Sequence, residues 1–205
     1  MQLCDIGNSF VKLYDNGKII SYSFEEFAKF KPKKPTYFIN VNPKIRLDND
    51  KFIDMNDYFM DFKTQYIGLG IDRIAGCYTI KDGVVVDVGT AITVDIMEAG
   101  VHVGGFILPG INATLEQYRA ISPALFVHFN SSVDINLAPQ TTANAISYGI
   151  INSVVLCVEK VAKDKAIYFT GGDGHFFCQF FKRSIYDKAL IFRGMIKALN
   201  ERGIE

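Results

Sequence analysis

The chain has 205 residues, 49% of them hydrophobic and 21% charged, with 22 Lys and Arg set against 22 Asp and Glu. That length supplies one large domain or two small ones with real cores, and the composition is that of a globular protein. A net charge of zero argues against a basic surface for nucleic acid, and the longest apolar stretch, Ile150 to Val158, is broken by Asn152 and Ser153 and reads as too short for a membrane span.

The apolar run Met1 to Ile6 predicts a strand, and Phe10 to Asp15 a second. Asn16-Gly17 is a strong hairpin turn signal, so Lys18 to Ser23 continues as a third strand. Phe24 to Phe30 predicts a short helix ended by Lys31-Pro32 and Pro35, and Thr36 to Val41 another strand. Asn42 to Lys51 is polar and turn-rich, a loop, and Lys51 to Ile67 carries short elements of mixed period. Ile71 to Ile80 predicts a helix opening at Asp72, followed by a turn at Lys81-Asp82-Gly83.

A second set of three strands follows, Val84 to Val88, Ala91 to Met97 and Val101 to Leu108, with turns at Gly89 and Ala99-Gly100. Helices are expected over Ile111 to Ile121 and Thr141 to Lys163. Lys165 to Thr170 is a strand ending in Gly171-Gly172-Asp173-Gly174, with helices over His175 to Lys182 and Lys188 to Arg202. The order βββαβα, then βββααβα, implies an internal duplication. The boundary is expected near residue 83, giving halves 1–83 and 84–205, with the last helix returning to the first half.

Cys4, Cys77, Cys157 and Cys178 are scattered without a CxxC pair and read as reduced, buried thiols. His102, His128 and His175 lack the spacing of a zinc site. Asp5 interrupts the only candidate for a signal sequence, so a cytoplasmic location is expected.

One motif occurs twice. Asp5-Ile6-Gly7-Asn8-Ser9 and Asp87-Val88-Gly89-Thr90-Ala91 each follow a strand and lead into another. Glycine lets the chain turn sharply and brings backbone N–H groups near a ligand. The Asn8, Ser9 and Thr90 side chains add donors for phosphate oxygens, while an Asp suits a cation, Mg²⁺ usually through water. Either motif alone is more often an ordinary tight turn; recurrence in two equivalent units favours two turns holding a phosphate chain and its metal. Lys12 can reach a phosphate as a point charge, or equally be a solvated strand residue.

In Gly68-Leu69-Gly70-Ile71-Asp72-Arg73, Asp72 suits a general base for a hydroxyl proton, and Arg73 suits a carboxylate or transition-state charge. The alternative is an N-cap Asp72 beside a surface Arg73. Gln140-Thr141-Thr142 opens the long helix and suits a polar or anionic group, or simply a cap. Thr170 to Gly174 suits a nucleotide base and ribose, or a plain turn. The glycines of Gly104 to Gly110 imply close backbone packing, with a subunit contact as one use, and Tyr66 reads as a core or rim aromatic with a substrate contact.

Taken together and in order, Asp5-Ile6-Gly7-Asn8-Ser9, Gly70-Ile71-Asp72-Arg73, Asp87-Val88-Gly89-Thr90-Ala91, Gly104-Gly105-Phe106-Ile107-Leu108-Pro109-Gly110 and Thr170-Gly171-Gly172 resemble the type III pantothenate kinases across nearly the whole chain. The resemblance implies an α/β fold: two ribonuclease-H-like, actin-like ATPase domains, mixed sheets flanked by helices, and an active site between the halves. It implies ATP-dependent phosphorylation of pantothenate to 4′-phosphopantothenate, the first step of coenzyme A synthesis. Asp5, Ile6, Gly7, Asn8, Ser9, Phe10, Val11 and Lys12 would bind the ATP phosphates, Asp5 near Mg²⁺, with Thr90, Gly171 and Gly172 also on ATP. Tyr66, Gly70, Ile71, Asp72, Arg73 and Thr142 would bind pantothenate, with Asp72 as the base. Asp87 would hold a monovalent cation, K⁺ or NH₄⁺, and the protein would be a homodimer. Ser9 stands where the family commonly has Thr, and the chain is shorter than usual, mostly before Gly70. The rival readings are another small-molecule kinase of the superfamily of acetate and sugar kinases, Hsp70 and actin, to which that family belongs, and a non-catalytic regulator derived from it.

Overall fold

A computed structural model describes residues 1–204 and contains two five-stranded sheets. In the first, ordered β3-β2-β1-β4-β5, the central strand β1 (Gln2–Ile6) is buried at every residue, as its unbroken run demands. It pairs antiparallel with β2 (Val11–Asp15) and parallel with β4 (Thr36–Asn40). Asn16 and Gly17 both take positive φ, which turns β2 into β3 (Lys18–Tyr22) with the twist a two-residue hairpin needs. Ser23 and Glu26 form a reciprocal capping box on α1 (Phe24–Phe27). That helix stops short of the expected Phe30, because Lys29 and Phe30 close three-residue turns onto Glu26 and Phe27 instead of extending it. β5 (Phe52–Asp54) emerges from the stretch of mixed period and pairs parallel with β4. α2 (Ile71–Cys77) also ends before the expected Ile80.

The second sheet is ordered β10-β9-β6-β7-β8. It comprises β6 (Gly83–Val88), β7 (Ala91–Glu98), β8 (Val101–Pro109), β9 (Ile167–Thr170) and β10 (Ser184–Tyr186). β10 was not expected; it lies between the last two helices and pairs parallel with β9. The helices are α3 (Ile111–Ile121), α4 (Thr142–Ala162), α5 (Gly174–Cys178) and α6 (Leu190–Asn200). α5 ends well before the expected Lys182.

α4 corrects one expectation: at 21 residues it is long and apolar enough, by length and composition, to cross a membrane. Here it is a core helix. Ile146, Ile150, Ile151, Val154, Val155, Val158 and Ala162 pack in one cluster with Val84, Val86 and Phe169 of the sheet. Burial of such side chains is the main favourable term in folding, about 1.5–3 kcal/mol for each large one.

Two compact units divide the chain: Met1–Asp82 with Met97–Gly104 and Ala189–Glu205, and Gly83–Ile96 with Gly105–Lys188. In the first, Leu3, Ile39, Met55 and Ala75 form one core with Ile191, Phe192, Met195 and Leu199 of α6. Tyr14 stacks on Phe192 with ring centroids 5.3 Å apart. Gly194 lies so close to the Ala75 carbonyl that any side chain there would collide with it, so α6 and α2 touch backbone to backbone. All four cysteines are free thiols; Cys4 and Cys77 are buried, but Cys157 and Cys178 are only half-buried, contrary to expectation.

Candidate active site

Asp5 is the penultimate residue of β1, and its side chain is buried. Directly across the ladder is Lys12 of β2, so ammonium stem and carboxylate share one face of the sheet. Burial, and then the neighbouring Asp5 charge, push the Cys4 thiol well above the usual range and keep it protonated. The turn between the strands closes through Gly7 N–H donating to the Phe10 carbonyl at 3.1 Å, with Asn8 and Phe10 exposed. Ile6 and Val11 send their side chains into the core, so toward a ligand they present backbone only.

The helix that carries Asp72 is capped by Gly70, not by Asp72. The Asp72 carboxylate folds back over the Gly70 backbone: a side-chain carbon at Gly70 would sit 2.6 Å from Asp72 Oδ1. The same oxygen accepts from the Arg73 N–H at 2.8 Å. Arg73 is not the surface residue of the plainer reading; it is 8% exposed. Its guanidinium carbon lies 4.8 Å from the ring centroid of Tyr66, a cation–π contact. Gly70, Asp72, Arg73 and Tyr66 are thus gathered within the first unit.

One residue escaped the sequence reading. His102, passed over as a zinc ligand, is fully buried in β8, and its Nδ1 is 2.8 Å from Thr64 Oγ1. Its ring meets Tyr66 edge-on at 6.0 Å. The available signal was strand alternation: His102 sits between Val101 and the exposed Val103, at an inward-facing position.

In the second unit Asp87 is the penultimate residue of β6, opposite Thr170 of β9. Gly171 has φ +83°, and a side chain on it would collide with Asp87 Oδ1 and the Val88 carbonyl oxygen. Those two oxygens therefore converge on the space beside Gly171. Gly172 is open, with nothing within 4 Å of an added side-chain carbon. Thr90 is exposed on a turn that Gly110 closes, its N–H donating to the Thr90 carbonyl at 3.0 Å. A side chain at Gly110 would collide with Gly89, which gives the glycine-rich strand end a packing role within the chain. Thr141 caps α4, accepting from the Asn144 N–H at 3.3 Å, and Thr142 is the exposed first residue of the helix.

Among the described residues no group of three or more His, Cys, Asp or Glu side chains gathers to hold a metal. A single carboxylate at the head of a glycine turn, as at Asp5, fits Mg²⁺ that keeps its waters and takes further ligands from phosphates. The Asp87 and Val88 oxygens fit a hard cation by donor chemistry.

A family model described as type III pantothenate kinase matches residues 51–164. A protein named type III pantothenate kinase from Campylobacter hominis is 50% identical over 207 residues, covering 100% of both chains. A crystal structure from Campylobacter jejuni that bears the name of a Baf family transcriptional activator matches with a TM-score of 0.92 and 47% identity over 99% of each chain. A 2-dehydro-3-deoxygalactonokinase structure from Sinorhizobium meliloti matches with a TM-score of 0.59 at 11% identity, over 98% of this chain and 96% of that one; it speaks to the fold alone.

Proposed function

The chain belongs to the type III pantothenate kinases, and from that premise we propose how its own residues divide the reaction. The enzyme transfers a phosphoryl group from ATP to the hydroxyl of pantothenate, giving 4′-phosphopantothenate in coenzyme A synthesis. Asp72 is the base: it accepts the hydroxyl proton as the oxygen attacks in line. The single observation that carries this assignment is the Asp72 carboxylate lying against side-chain-free Gly70, next to a buried Arg73 that stacks on half-buried Tyr66. Arg73 holds the substrate's carboxylate, for which a guanidinium fork is suited, and Tyr66, Gly70, Ile71 and Thr142 line the same substrate.

The Asp5 to Lys12 turn binds the ATP phosphates through the backbone of Ile6, Gly7, Phe10 and Val11, the side chains of Asn8 and Ser9, and the Lys12 ammonium. When bound with ATP, Mg²⁺ neutralises phosphate charge, and Asp5 would hold it through water. Thr90, Gly171 and Gly172 contact the nucleotide, and Asp87 with the Val88 carbonyl holds K⁺ or NH₄⁺. The protein works as a cytoplasmic homodimer. Asp72→Asn tests the mechanism: turnover falls about 1000-fold, within the range of general-base catalysis, while the far-UV spectrum stays native. Near-wild-type turnover in that variant would sink the base assignment.

A second reading, a regulator of transcription, has the name of the Campylobacter jejuni structure in its favour. The balanced charge of the chain and the presence of Asp5, Asp72, Asp87 and Thr90 favour the kinase.

A further inference from the structure

Tyr66 belongs to an irregular segment between Met60 and Gly70 whose next residue, Ile67, is 97% exposed. Such a segment has little packing of its own to fix an aromatic ring. Its contacts lead to His102. The His102 N–H donates to the Lys63 carbonyl at 2.9 Å, and Thr64 and His102 form an isolated parallel bridge. His102 Nδ1 lies 2.8 Å from Thr64 Oγ1, and that hydroxyl oxygen also accepts from the Tyr66 N–H at 3.0 Å. The imidazole meets the rings of Phe62 and Tyr66 at 6.1 and 6.0 Å. Tyr66 in turn offers its face to the Arg73 guanidinium at 4.8 Å.

We infer that His102 is a positioning residue for pantothenate: through the Thr64 hydroxyl and its own ring it holds Tyr66 where Tyr66 fixes Arg73. The inference rests on the substrate role given above to Tyr66 and Arg73. His102 itself does not touch the substrate in this scheme. A buried polar relay of this kind is coupled, so loss of one member is felt at the next. Arg73 meets substrate in both ground and transition states, so loosening it weakens uniform binding and raises KM more than it lowers kcat.

The test is steady-state kinetics on the full chain, with pantothenate and ATP varied separately. Thr64→Val keeps the shape of the side chain and removes the shared oxygen. The pantothenate KM rises about 5- to 10-fold, the span one buried hydrogen bond commands, with ATP KM and kcat within about 2-fold of wild type. His102→Phe keeps a ring and gives a similar rise, whereas His102→Asn keeps a polar atom near the Nδ1 position and gives a smaller one. A purely structural role would lower the active fraction or the melting temperature and leave KM where it was. In a Tyr66→Ala background, Thr64→Val adds nothing further to KM, because the relay ends at Tyr66.

Three outcomes overturn the inference. Wild-type pantothenate KM in Thr64→Val and His102→Phe, with a raised KM in Tyr66→Ala, overturns it and leaves the substrate site intact. So does a Thr64→Val effect that multiplies fully with Tyr66→Ala. Wild-type KM in both Tyr66→Ala and Arg73→Ala overturns the substrate reading and this inference with it. If His102→Phe does not fold, Thr64→Val alone decides, since Thr64 is only half-buried and valine is isosteric.

Discussion

Gly171 shows how one missing side chain keeps a space open between two oxygens. Its φ of +83° is strained for other residues, and the space that a side chain would take is bounded by Asp87 Oδ1 and the Val88 carbonyl. In Gly171→Ala the strain and the collision add, and the protein loses about 2 kcal/mol or more of stability. The same variant loses its response to K⁺ in a coupled kinase assay, because the added methyl pushes apart the oxygens assigned to the cation. A K⁺ response equal to wild type would remove that assignment. Gly172→Ala is the stability control: its side chain meets open space, and the melting temperature stays within about 2 °C of wild type. Asp72 illustrates a different lesson at the same scale. Its type announced a base or a cap, but only the fold reveals that Gly70 takes the cap and leaves Asp72 Oδ1 over bare backbone.

The α2–α6 pair carries the two predictions that belong to elements. Gly194→Ala drives a methyl into the Ala75 carbonyl and lifts α6 from α2, at a cost of about 3 kcal/mol measured by urea unfolding. A loss under about 0.5 kcal/mol would mean that the helices slide apart freely. At the end of α2, burial and then the hydrogen bond to Glu201 push the Tyr78 hydroxyl up to about 12 from its ordinary value of 10.0. The unfolded chain ionises first, so this contribution is whole below pH 10.0 and is lost as pH rises toward about 12. Tyr78→Phe therefore shows a shallower fall of melting temperature between those pH values; an unchanged slope would discount Tyr78.

Elements with local causes were readable from the chain. Asn16-Gly17 turned where its positive φ values require, Ser23 and Glu26 formed their box, and α3 runs over the residues its pattern marked. β5 and β10 were not readable, because each is three residues long and becomes a strand only through parallel pairing with a distant partner. The candidate site divides the same way. Residue types and spacing nominated Asp5, Asp72, Arg73 and Asp87, but the burial of Arg73 under Tyr66 and the link from His102 to Thr64 come from chain segments that meet only on folding. A charged residue at a helix start gives no sign of being covered.

For the whole molecule, balanced charge weighs against the regulator, while the family itself rests on the relatives. With 22 basic and 22 acidic side chains, non-specific DNA affinity lacks its usual electrostatic source. No duplex is retarded by the protein in a gel at about 150 mM salt, and a salt-sensitive shift would favour the regulator. The first unit is assembled from Met1–Asp82, Met97–Gly104 and Ala189–Glu205, so it is discontinuous along the chain. That has a meaning in time. A ribosome has long finished Leu3, Ile39, Met55 and Ala75 before it reaches Phe192, Met195 and Leu199, which share their core. For roughly ten seconds at ordinary elongation rates the nascent first unit waits with that apolar face uncovered. A message cut before Leu190 would therefore yield no half-working enzyme, only a chain for chaperones and proteases to sort.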